Sequence, residues 1–288
     1  MEAYLNIIRK IINEGTKKEN RTGIDTYSIA GVMFEHDMSK GFPLLTTKKV
    51  PFRLITNENY FFINGITDKN FLRDQNIHIW DDWCNPQKVK YGHDESTKQK
   101  MKEERDLGAI YGFQWRHFNG DYISYDKEPK TKGVDQLENL VNTLKTNPND
   151  RRMIVSAWNP NQLDKMALPP CHYGFQVIVN GDKLNLMWNQ RSVDSALGLP
   201  FNIAGYGLIL HLLAKESGFK EGRLVGFLGD THIYENHLEG LEEQLSRKPK
   251  DLPIIKTDNF KSIFDWKPED SKIENYNPDK NIKFEIAV

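Results

Sequence analysis

The chain has 288 residues, 38% hydrophobic and 27% charged, a composition typical of a soluble globular protein rather than a disordered or membrane protein. Its 39 basic and 40 acidic side chains give a formal net charge of -1, which favours neither nucleic-acid binding nor attraction to an anionic membrane. No apolar run approaches the ~20 residues of a membrane span, and the N-terminal segment is amphipathic rather than a signal peptide. We therefore expect a cytoplasmic protein, or one of the host cytoplasm if the source is viral.

The first half of the chain predicts a helix, a strand and a second helix. Apolar residues in MEAYLNIIRKIINEG recur at helical spacing and stop at Gly15. TYSIAGVMF indicates a strand, and NENYFFING indicates a helix that ends at Gly65. Two stretches, near 84–106 and 119–133, are dense in charge and poor in large apolar groups, so we expect exposed polar insertions there.

The second half predicts most of a sheet. DQLENLVNTLKTNP indicates a helix, and FQVIVN and KLNLMWNQRS indicate two strands joined by the hairpin signal Asn180-Gly181. IAGYGLILHLLAKESG predicts a buried helix, and RLVGFLGDTHIY a further strand. Because strands and helices do not alternate regularly, we predict one α+β domain over residues 1–288, with a large mixed twisted β-sheet flanked by helices.

Common cofactor motifs do not occur in the sequence. It has no GxxxxGK[ST] phosphate loop, no GxGxxG that opens a helix after a strand, and no HExxH pair. Its two cysteines, Cys84 and Cys171, form neither a disulfide framework nor a zinc-ligand spacing. We therefore expect no Rossmann cofactor, no nucleotide triphosphate hydrolysis and no metal site.

Arginines beside small polar residues are candidates for binding an anion. They occur in Asn20-Arg21-Thr22-Gly23, Asp150-Arg151-Arg152 and Gln190-Arg191-Ser192. A forked guanidinium at a turn or strand end can hold phosphate or carboxylate oxygens through charge-assisted bonds. A single arginine of this kind is more often a surface ion-pair partner, so the residues alone leave both interpretations open.

Cys171 and Glu58 are the candidates for covalent and proton-transfer chemistry. Cys171 follows a proline pair in LPPCHYG, where it is either a small buried apolar residue or a nucleophile. Glu58 lies in an aromatic helical segment, where it is either on the polar face or a buried acid with a raised pKa. The residues alone do not decide either case.

Other polar and aromatic side chains allow two interpretations each. Asn202 sits where a helix N-cap or first-turn residue is expected, but its amide could also read a pyrimidine imide edge. His232 and Tyr234 share one strand face, which suits sugar hydroxyls or a buried polar network. Trp80 and Trp83 are either core residues or a stacking wall for a flat heterocycle.

Taken together, ten ordered segments resemble the thymidylate synthase family from end to end. LPPCH, QRS and LGLPFN are the most specific of them. The segments are NRTG, GFPLLTTKK, IHIWDDW, LGAIYGFQWR, NDRRMIVSAWNP, MALPPCH, QRSVD, LGLPFNIA, GDTHIY and the terminal IAV.

The resemblance implies reductive methylation of dUMP at C5, with 5,10-methylenetetrahydrofolate as co-substrate and without a metal. It implies that Cys171 is the nucleophile that adds to C6 of the uracil ring. The other implied catalytic residues are Glu58, Tyr111, His172 and Asn202. The implied substrate-binding residues are Arg21, Arg151, Arg152, Gln190, Arg191, Ser192, Asp194, Asn202, His232 and Tyr234. The implied cofactor-binding residues are Lys48, Ile79, Trp80, Trp83, Asp194, Leu197, Gly198, Phe201 and Val288.

The resemblance also implies a homodimer whose sheets pack across the interface. Arg151 and Arg152 match a pair that the neighbouring subunit contributes to the site. Obligate partners are therefore dUMP, the folate and a second copy of the chain, without a membrane or nucleic acid.

Departures from the family pattern keep alternatives open. Val193, Gly205 and Asp25 replace usual family residues, and the segment 57–62 differs from the usual sequence. The same cysteine, glutamate and arginines would serve a dUMP hydroxymethylase, which adds water instead of hydride to the transferred carbon. A catalytically idle nucleotide- or RNA-binding protein is a further alternative, although it would have no need of the thiol.

Overall fold

The computed structural model describes residues 1–20 and 22–286, and its helices include those that the apolar periodicity of the sequence predicts. No helix in these ranges is long and apolar enough to cross a membrane. The helices are α1 Glu2–Glu14, α2 Phe52–Ile63, α3 Asn70–Arg73, α4 Glu95–Glu103, α5 Tyr111–His117, α6 Gln136–Thr146, α7 Gly198–Ser217 and α8 Leu238–Ser246.

Six of the eight strands in the described part of the chain form one mixed sheet. The strands are β1 Thr16–Lys18, β2 Thr26–Asp37, β3 Ile154–Ser156, β4 His172–Asn180, β5 Lys183–Asp194, β6 Lys220–Tyr234, β7 Ile254–Thr257 and β8 Ser271–Glu274. The order in the large sheet is β1-β2-β6-β5-β4-β3. β5 and β6 pair in parallel, whereas β2 and β6 pair antiparallel. This sheet and its helices confirm the predicted α+β class.

Two compact units divide the chain. The first unit comprises residues 1–56 and 177–288, and the second comprises residues 57–176. In the first unit, α7 packs on β5 through Trp188 and Tyr206, whose rings stack with centroids 5.3 Å apart. A Cβ at Gly226 of β6 would lie 2.4 Å from the Trp188 ring, so the fit of this indole requires glycine there.

Helices α1 and α7 of the first unit obey different sequence patterns. α1 buries one face, including Tyr4 and Ile8, and the Tyr4 hydroxyl donates to the Ser195 carbonyl at the end of β5. α7 is apolar over most of its circumference and is largely buried. It ends at Gly218, whose φ of 76° places it in the left-handed region that glycine adopts without strain.

The second unit has an aromatic core. The Trp115 ring lies between those of Phe62 and Phe175, with centroid distances of 5.8 and 5.4 Å. Such tilted and edge contacts add to the hydrophobic gain from burying three large side chains. Because α2, α5 and β4 each supply one of these rings, the core fixes the ends of the segments that carry the candidate site residues.

The polar stretch 84–106 has more structure than the sequence suggested. It contains α4, whose N-cap Asp94 accepts from the Thr97 N–H, and whose side chains are mostly exposed apart from Met101. The ammonium of buried Lys69 donates to the carbonyls of Asp81, Trp83 and Met101 at 2.8–3.1 Å. These bonds tie α4 to the segment that carries the two tryptophans.

The second polar stretch, 119–133, is fastened at its start by a buried carboxylate. Asp106 is fully buried, and its Oδ1 accepts from the Tyr122 hydroxyl at 2.5 Å and from the Gly108 N–H at 2.6 Å. Its Oδ2 lies 2.9 Å from the Lys88 ammonium. A charged group in the interior is tolerated when it is paired and hydrogen-bonded in this way.

Candidate active site

The two cysteines lie in contrasting surroundings in the second unit. Cys84 is buried, burial raises the pKa of its thiol, and its Sγ contacts the Val89 carbonyl at 3.8 Å. Cys171 is only half-buried, and it follows Pro169 and Pro170 at the entry to β4. Reactive thiols require access, so Cys171 and not Cys84 can act as a nucleophile.

Tyr111 connects the backbone of Cys171 to an aromatic stack. The Cys171 N–H donates to the Tyr111 Oη at 2.8 Å. The Tyr111 ring stacks on His172 with centroids 4.4 Å apart, and on Phe62 with centroids 4.9 Å apart. Trp80 meets Tyr111 edge-on at 6.1 Å. The structure therefore brings Tyr111, Cys171, His172 and Trp80 together, although they are up to 92 residues apart.

Glu58 has the protonation behaviour of a general acid or base. Burial raises the pKa of its carboxyl from an ordinary 4.5 to about 7, while a hydrogen bond from the Trp80 Nε1 at 3.0 Å opposes the shift. A carboxyl with a pKa near the working pH exchanges protons most effectively. Of the two interpretations of Glu58, the geometry favours the buried acid.

His172 is neutral at physiological pH. Burial of its ring lowers the pKa of the imidazole to about 3. A neutral imidazole cannot supply the positive charge that would lower the pKa of the neighbouring thiol. The neutral ring of His172 still has one nitrogen that can donate a hydrogen bond and one that can accept.

Trp83 and Ile79 form the second part of the tryptophan segment. Both side chains are half-buried, and the Trp83 ring meets Trp80 edge-on with centroids 6.2 Å apart. The Trp83 Nε1 is buried, and no hydrogen-bond partner lies within reach of it in the described ranges. A buried indole N–H ordinarily has an acceptor, so this atom is suited to a ligand oxygen or nitrogen.

In the first unit, Gln190 fixes the orientation of Asn202. The Gln190 Nε2 donates to the Asn202 Oδ1 at 3.0 Å, and its own Oε1 accepts from the Trp188 Nε1 at 3.1 Å. Asn202 was predicted at the N-cap or first turn, which is wrong, because α7 begins at Gly198 and places it in the second turn. There it bonds a neighbouring strand instead of capping its own helix.

Asp194 organises the turn between β5 and α7. Its Oδ1 accepts from the backbone N–H groups of Ala196 and Leu197 at 3.0 and 3.1 Å. The buried Lys48 ammonium donates to the Ala196 carbonyl at 2.6 Å, and burial lowers the pKa of this lysine to about 8. The structure thus gathers Lys48, Asp194 and Leu197 at the start of α7. The two further predicted cofactor residues in this helix are the half-buried Gly198 and Phe201.

His232 and Tyr234 share one face of β6, as their alternation predicted. Their rings meet edge-on with centroids 5.3 Å apart. The His232 Nδ1 lies 3.0 Å from the Asp230 Oδ1, and Ser28 donates to the same oxygen. The Nε2 of His232 and the Tyr234 hydroxyl are groups that can bond sugar hydroxyls.

The arginines fall into three groups. Arg21, like Val288, lies outside the described residues. Arg191 is exposed on β5 beside the half-buried Ser192. Arg151 and Arg152 are exposed in the turn before β3, where the Gln176 Nε2 donates to the Arg151 carbonyl at 2.9 Å. Neither guanidinium of this pair has an ion-pair partner in the described ranges, so both are available to an anion or another chain.

The sequence did not single out Phe62 or His237. Phe62 stacks on Tyr111, which no local spacing reveals. His237 is fully buried three residues after Tyr234, and a histidine that close to GDTHIY could have been flagged. Over the described ranges, the structure has no group of three His, Cys, Asp or Glu side chains that could hold a metal ion.

Comparison with known proteins identifies the family. The family model described as Thymidylate synthase matches residues 2–288. The chain is 43% identical over 285 residues to the bifunctional dihydrofolate reductase-thymidylate synthase of Paramecium tetraurelia, covering 99% of this chain and 61% of that protein. It is 41% identical over 286 residues to the protein of the same name from Zea mays, covering 99% and 54%. The chain spans little more than half the length of these relatives. The family model and the identity to these relatives show that the chain belongs to the thymidylate synthase family.

Proposed function

We propose that the chain, as a single catalytic domain, is a thymidylate synthase. It converts dUMP to dTMP by transfer and reduction of the one-carbon unit of 5,10-methylenetetrahydrofolate. The observation that carries the proposal is the accessible Cys171 thiol, linked through Tyr111 and Trp80 to a carboxyl, Glu58, whose pKa is about 7. Family membership supports the same chemistry.

Cys171 is the nucleophile in this proposal. Its thiolate adds to C6 of the uracil ring, so that the electron pair of the C5–C6 double bond makes C5 nucleophilic. A free thiol with a pKa near 8.5 is only a few per cent ionised at neutral pH. The guanidinium groups of Arg21 and Arg191, which we place around the phosphate, favour the thiolate by their charge.

Glu58 moves protons in the proposed reaction. Because its pKa is about 7, it can protonate the uracil O4 region when C5 is enolate-like, and later accept a proton. Tyr111 and the neutral His172 stack together and assist it by hydrogen bonding. The C5 proton must leave before the thiol is eliminated from C6.

Asn202 reads the base and the strand residues hold the rest of the nucleotide. With its Oδ1 turned to Gln190, the Asn202 amide presents a fixed donor and a shared acceptor to the O4 and N3–H edge of uracil. His232 and Tyr234 bind the 3′ hydroxyl of the sugar. Ser192 and the arginines bind the phosphate, with Arg151 and Arg152 supplied by a second copy of the chain.

The folate supplies a carbon at the formaldehyde oxidation level and then the hydride that reduces it. Several residues fit such a ligand. The Trp83 N–H is a buried donor that can bond a heteroatom, and Trp80 offers an indole face. Lys48 and Asp194 provide groups of opposite charge at the start of α7. We place Ile79, Leu197, Gly198, Phe201 and Val288 around the same ligand.

The decisive assay mixes the protein with dUMP and 5,10-methylenetetrahydrofolate. We expect dTMP and an absorbance increase from dihydrofolate. Cys171→Ser should lose at least about 1000-fold in kcat, whereas the matched control Cys84→Ser should keep its activity. 5-Fluoro-dUMP with the folate should give a covalent adduct on Cys171, seen by mass spectrometry.

A hydroxymethylase would give 5-hydroxymethyl-dUMP without dihydrofolate, and that product would overturn the proposal. The comparisons name thymidylate synthases and lend no support to the hydroxymethylase. A nucleotide-binding protein without activity would give neither product, and Cys171→Ser would then change nothing.

We also propose that the protein is a homodimer. The open face of the sheet in the first unit exposes Met33 and Phe227 at 57% and 47%, and the two are paired directly across β2 and β6. Ile178, Met187 and Val225 line the same face. An apolar sheet face of this kind is typical of a homodimer interface.

Sedimentation and subunit mixing test the dimer and its shared site. We expect the purified protein to sediment as a dimer, and Phe227→Glu to weaken association. Cys171→Ser and the Arg151→Ala/Arg152→Ala variant should each be inactive. If the arginines act across the interface, a randomised mixture of the two should recover about a quarter of the sites, whereas arginines acting within one chain would recover none.

A further inference from the structure

His237 is a buried imidazole that no step of the proposed reaction uses. It ends the short helical turn Glu235–His237 that follows β6, and its side chain is fully buried. Its Nε2 lies 2.7 Å from the Glu285 carbonyl. Since a carbonyl only accepts, the Nε2 carries the hydrogen and donates it to the carboxy-terminal segment.

The other ring nitrogen of His237 faces Asp194. The Nδ1 is buried, lacks a hydrogen-bond partner over the described ranges, and lies 3.9 Å from the Asp194 Oδ1. That oxygen is held by the N–H groups of Ala196 and Leu197. The His237 ring therefore lies next to the turn that begins α7, without a direct hydrogen bond to it.

Ring contacts join the same imidazole to two further groups. The Phe284 ring meets His237 edge-on with centroids 5.1 Å apart, and the Tyr234 ring does so at 5.6 Å. The Lys48 ammonium lies over the Phe284 ring, 4.5 Å from its centroid. The segment 282–286 also packs closely on α8, because a Cβ at Gly240 would lie 2.7 Å from Phe284.

We propose that His237 is a positioning residue that couples the carboxy-terminal segment 282–286 to Asp194. One imidazole holds the backbone of this segment through its Nε2 and faces the Asp194 carboxylate with its Nδ1. Because the ring bonds one partner and lies next to the other, we expect a displacement of either partner to be transmitted through it. The inference rests on the proposed function in one respect, namely that Asp194 and this segment serve the bound folate.

Two amide variants separate the two nitrogens of the ring. In His237→Gln the side-chain amide reaches the place of the Nε2 and can still donate to the Glu285 carbonyl. In His237→Asn the shorter amide reaches only the place of the Nδ1, so the bond to the segment is lost. His36 supplies matched controls, because its buried ring makes an equivalent 2.8 Å Nε2 contact with the Gly41 carbonyl.

Hydrogen exchange of the amides in residues 282–286 of the ligand-free protein is the first measurement. We expect exchange to be about fivefold faster in His237→Asn, near wild type in His237→Gln, and unchanged in His36→Asn and His36→Gln. Asp194→Asn should also accelerate exchange, but should add little in the His237→Asn background, because the two act through one contact.

Steady-state kinetics give the second measurement. The KM for 5,10-methylenetetrahydrofolate should rise about fivefold in His237→Asn, with a smaller change in kcat and recovery in His237→Gln. Unchanged exchange in His237→Asn, or additive effects of His237→Asn and Asp194→Asn, would overturn the coupling. A wild-type protein without turnover would overturn the proposed function instead, since the exchange measurements do not depend on activity.

Discussion

Two regions of the molecule differ in what sets their chemical properties. In the second unit, burial sets the protonation of the residues around Cys171, whereas in the first unit hydrogen bonds set the orientation of the residues around Asn202. Near Cys171, burial among aromatic rings raises the pKa of Glu58 and lowers that of His172. Near Asn202, hydrogen bonds from Gln190 and to Asp194 fix the directions of amide and backbone groups. In the proposed function, the first set serves proton transfer and the second serves recognition of shape and hydrogen-bond pattern.

This difference separates the expected effects of substitution. Changes among the desolvated groups should alter kcat and the dependence of activity and stability on pH. Changes among the hydrogen-bonded groups should alter mainly KM and the choice of substrate. Four predictions, made with three substitutions, test the separation.

Glu58→Gln should have the largest effect. A glutamine keeps the shape of the side chain but cannot transfer a proton, so we expect kcat to fall about 1000-fold, with a much smaller change in the KM for dUMP. Steady-state assays of both parameters measure this. A rise in the KM for dUMP with kcat unchanged would instead assign Glu58 to substrate binding.

The same variant should be more stable than wild type in alkaline solution. The folded-state pKa of Glu58, about 7, lies above the ordinary 4.5, so the wild type loses stability as the pH rises from 4.5 through 7. Glu58→Gln lacks this loss, and we expect an advantage of about 3 kcal/mol at pH 8 that vanishes below pH 4.5. Denaturant unfolding at several pH values measures it, and a constant difference would contradict the shift.

His172→Gln should show the opposite dependence on pH. The folded-state pKa of His172, about 3, lies below the ordinary 6.5, so the wild type loses stability as the pH falls from 6.5 towards 3. We compare the difference in unfolding free energy between His172→Gln and wild type at two pH values. We expect this difference to shift in favour of the variant by about 2 kcal/mol between pH 8 and pH 5. Denaturant unfolding measures the difference, and an equal difference between variant and wild type at both pH values would show that His172 is not held neutral.

Gln190→Ala should have the smallest effect and a different signature. It releases the Asn202 amide from its hydrogen bond, so we expect the KM for dUMP to rise about 10-fold while kcat changes little. The pH dependence of kcat should stay that of wild type. A displaced pH profile in this variant would mean that recognition and proton transfer are not separate.

Much of the fold follows from local sequence patterns. The apolar stripe of α1, the hairpin at Asn180-Gly181 and the strand β6 all lie where the sequence indicated. α4 was missed because a short helix with only Met101 buried has almost no apolar face to detect. The helix predicted over IAGYGLILHLLAKESG begins too late, since α7 starts at Gly198 and Pro200 in the first helical turn costs no hydrogen bond.

The candidate site was less accessible to local reasoning. Neither the state of Glu58 nor its bond to Trp80, 22 residues further on, can be derived from spacing. Local reasoning left two interpretations open for Glu58 and for Trp80, and only the resemblance to a family gave each of them a role. The buried contact between His237 and the Glu285 carbonyl, 48 residues away, gave no sequence signal.

The hydrogen bond from the Cys171 N–H to the Tyr111 Oη has a directional consequence. A backbone amide N–H can only donate, so the phenol oxygen must accept there and its own hydrogen must point away from Cys171. Between two hydroxyls or waters the donor and acceptor can exchange roles, but between the Cys171 N–H and the Tyr111 Oη they cannot. The hydroxyl hydrogen of Tyr111 is thus directed away from Cys171, where it can be donated to a group such as a ring carbonyl.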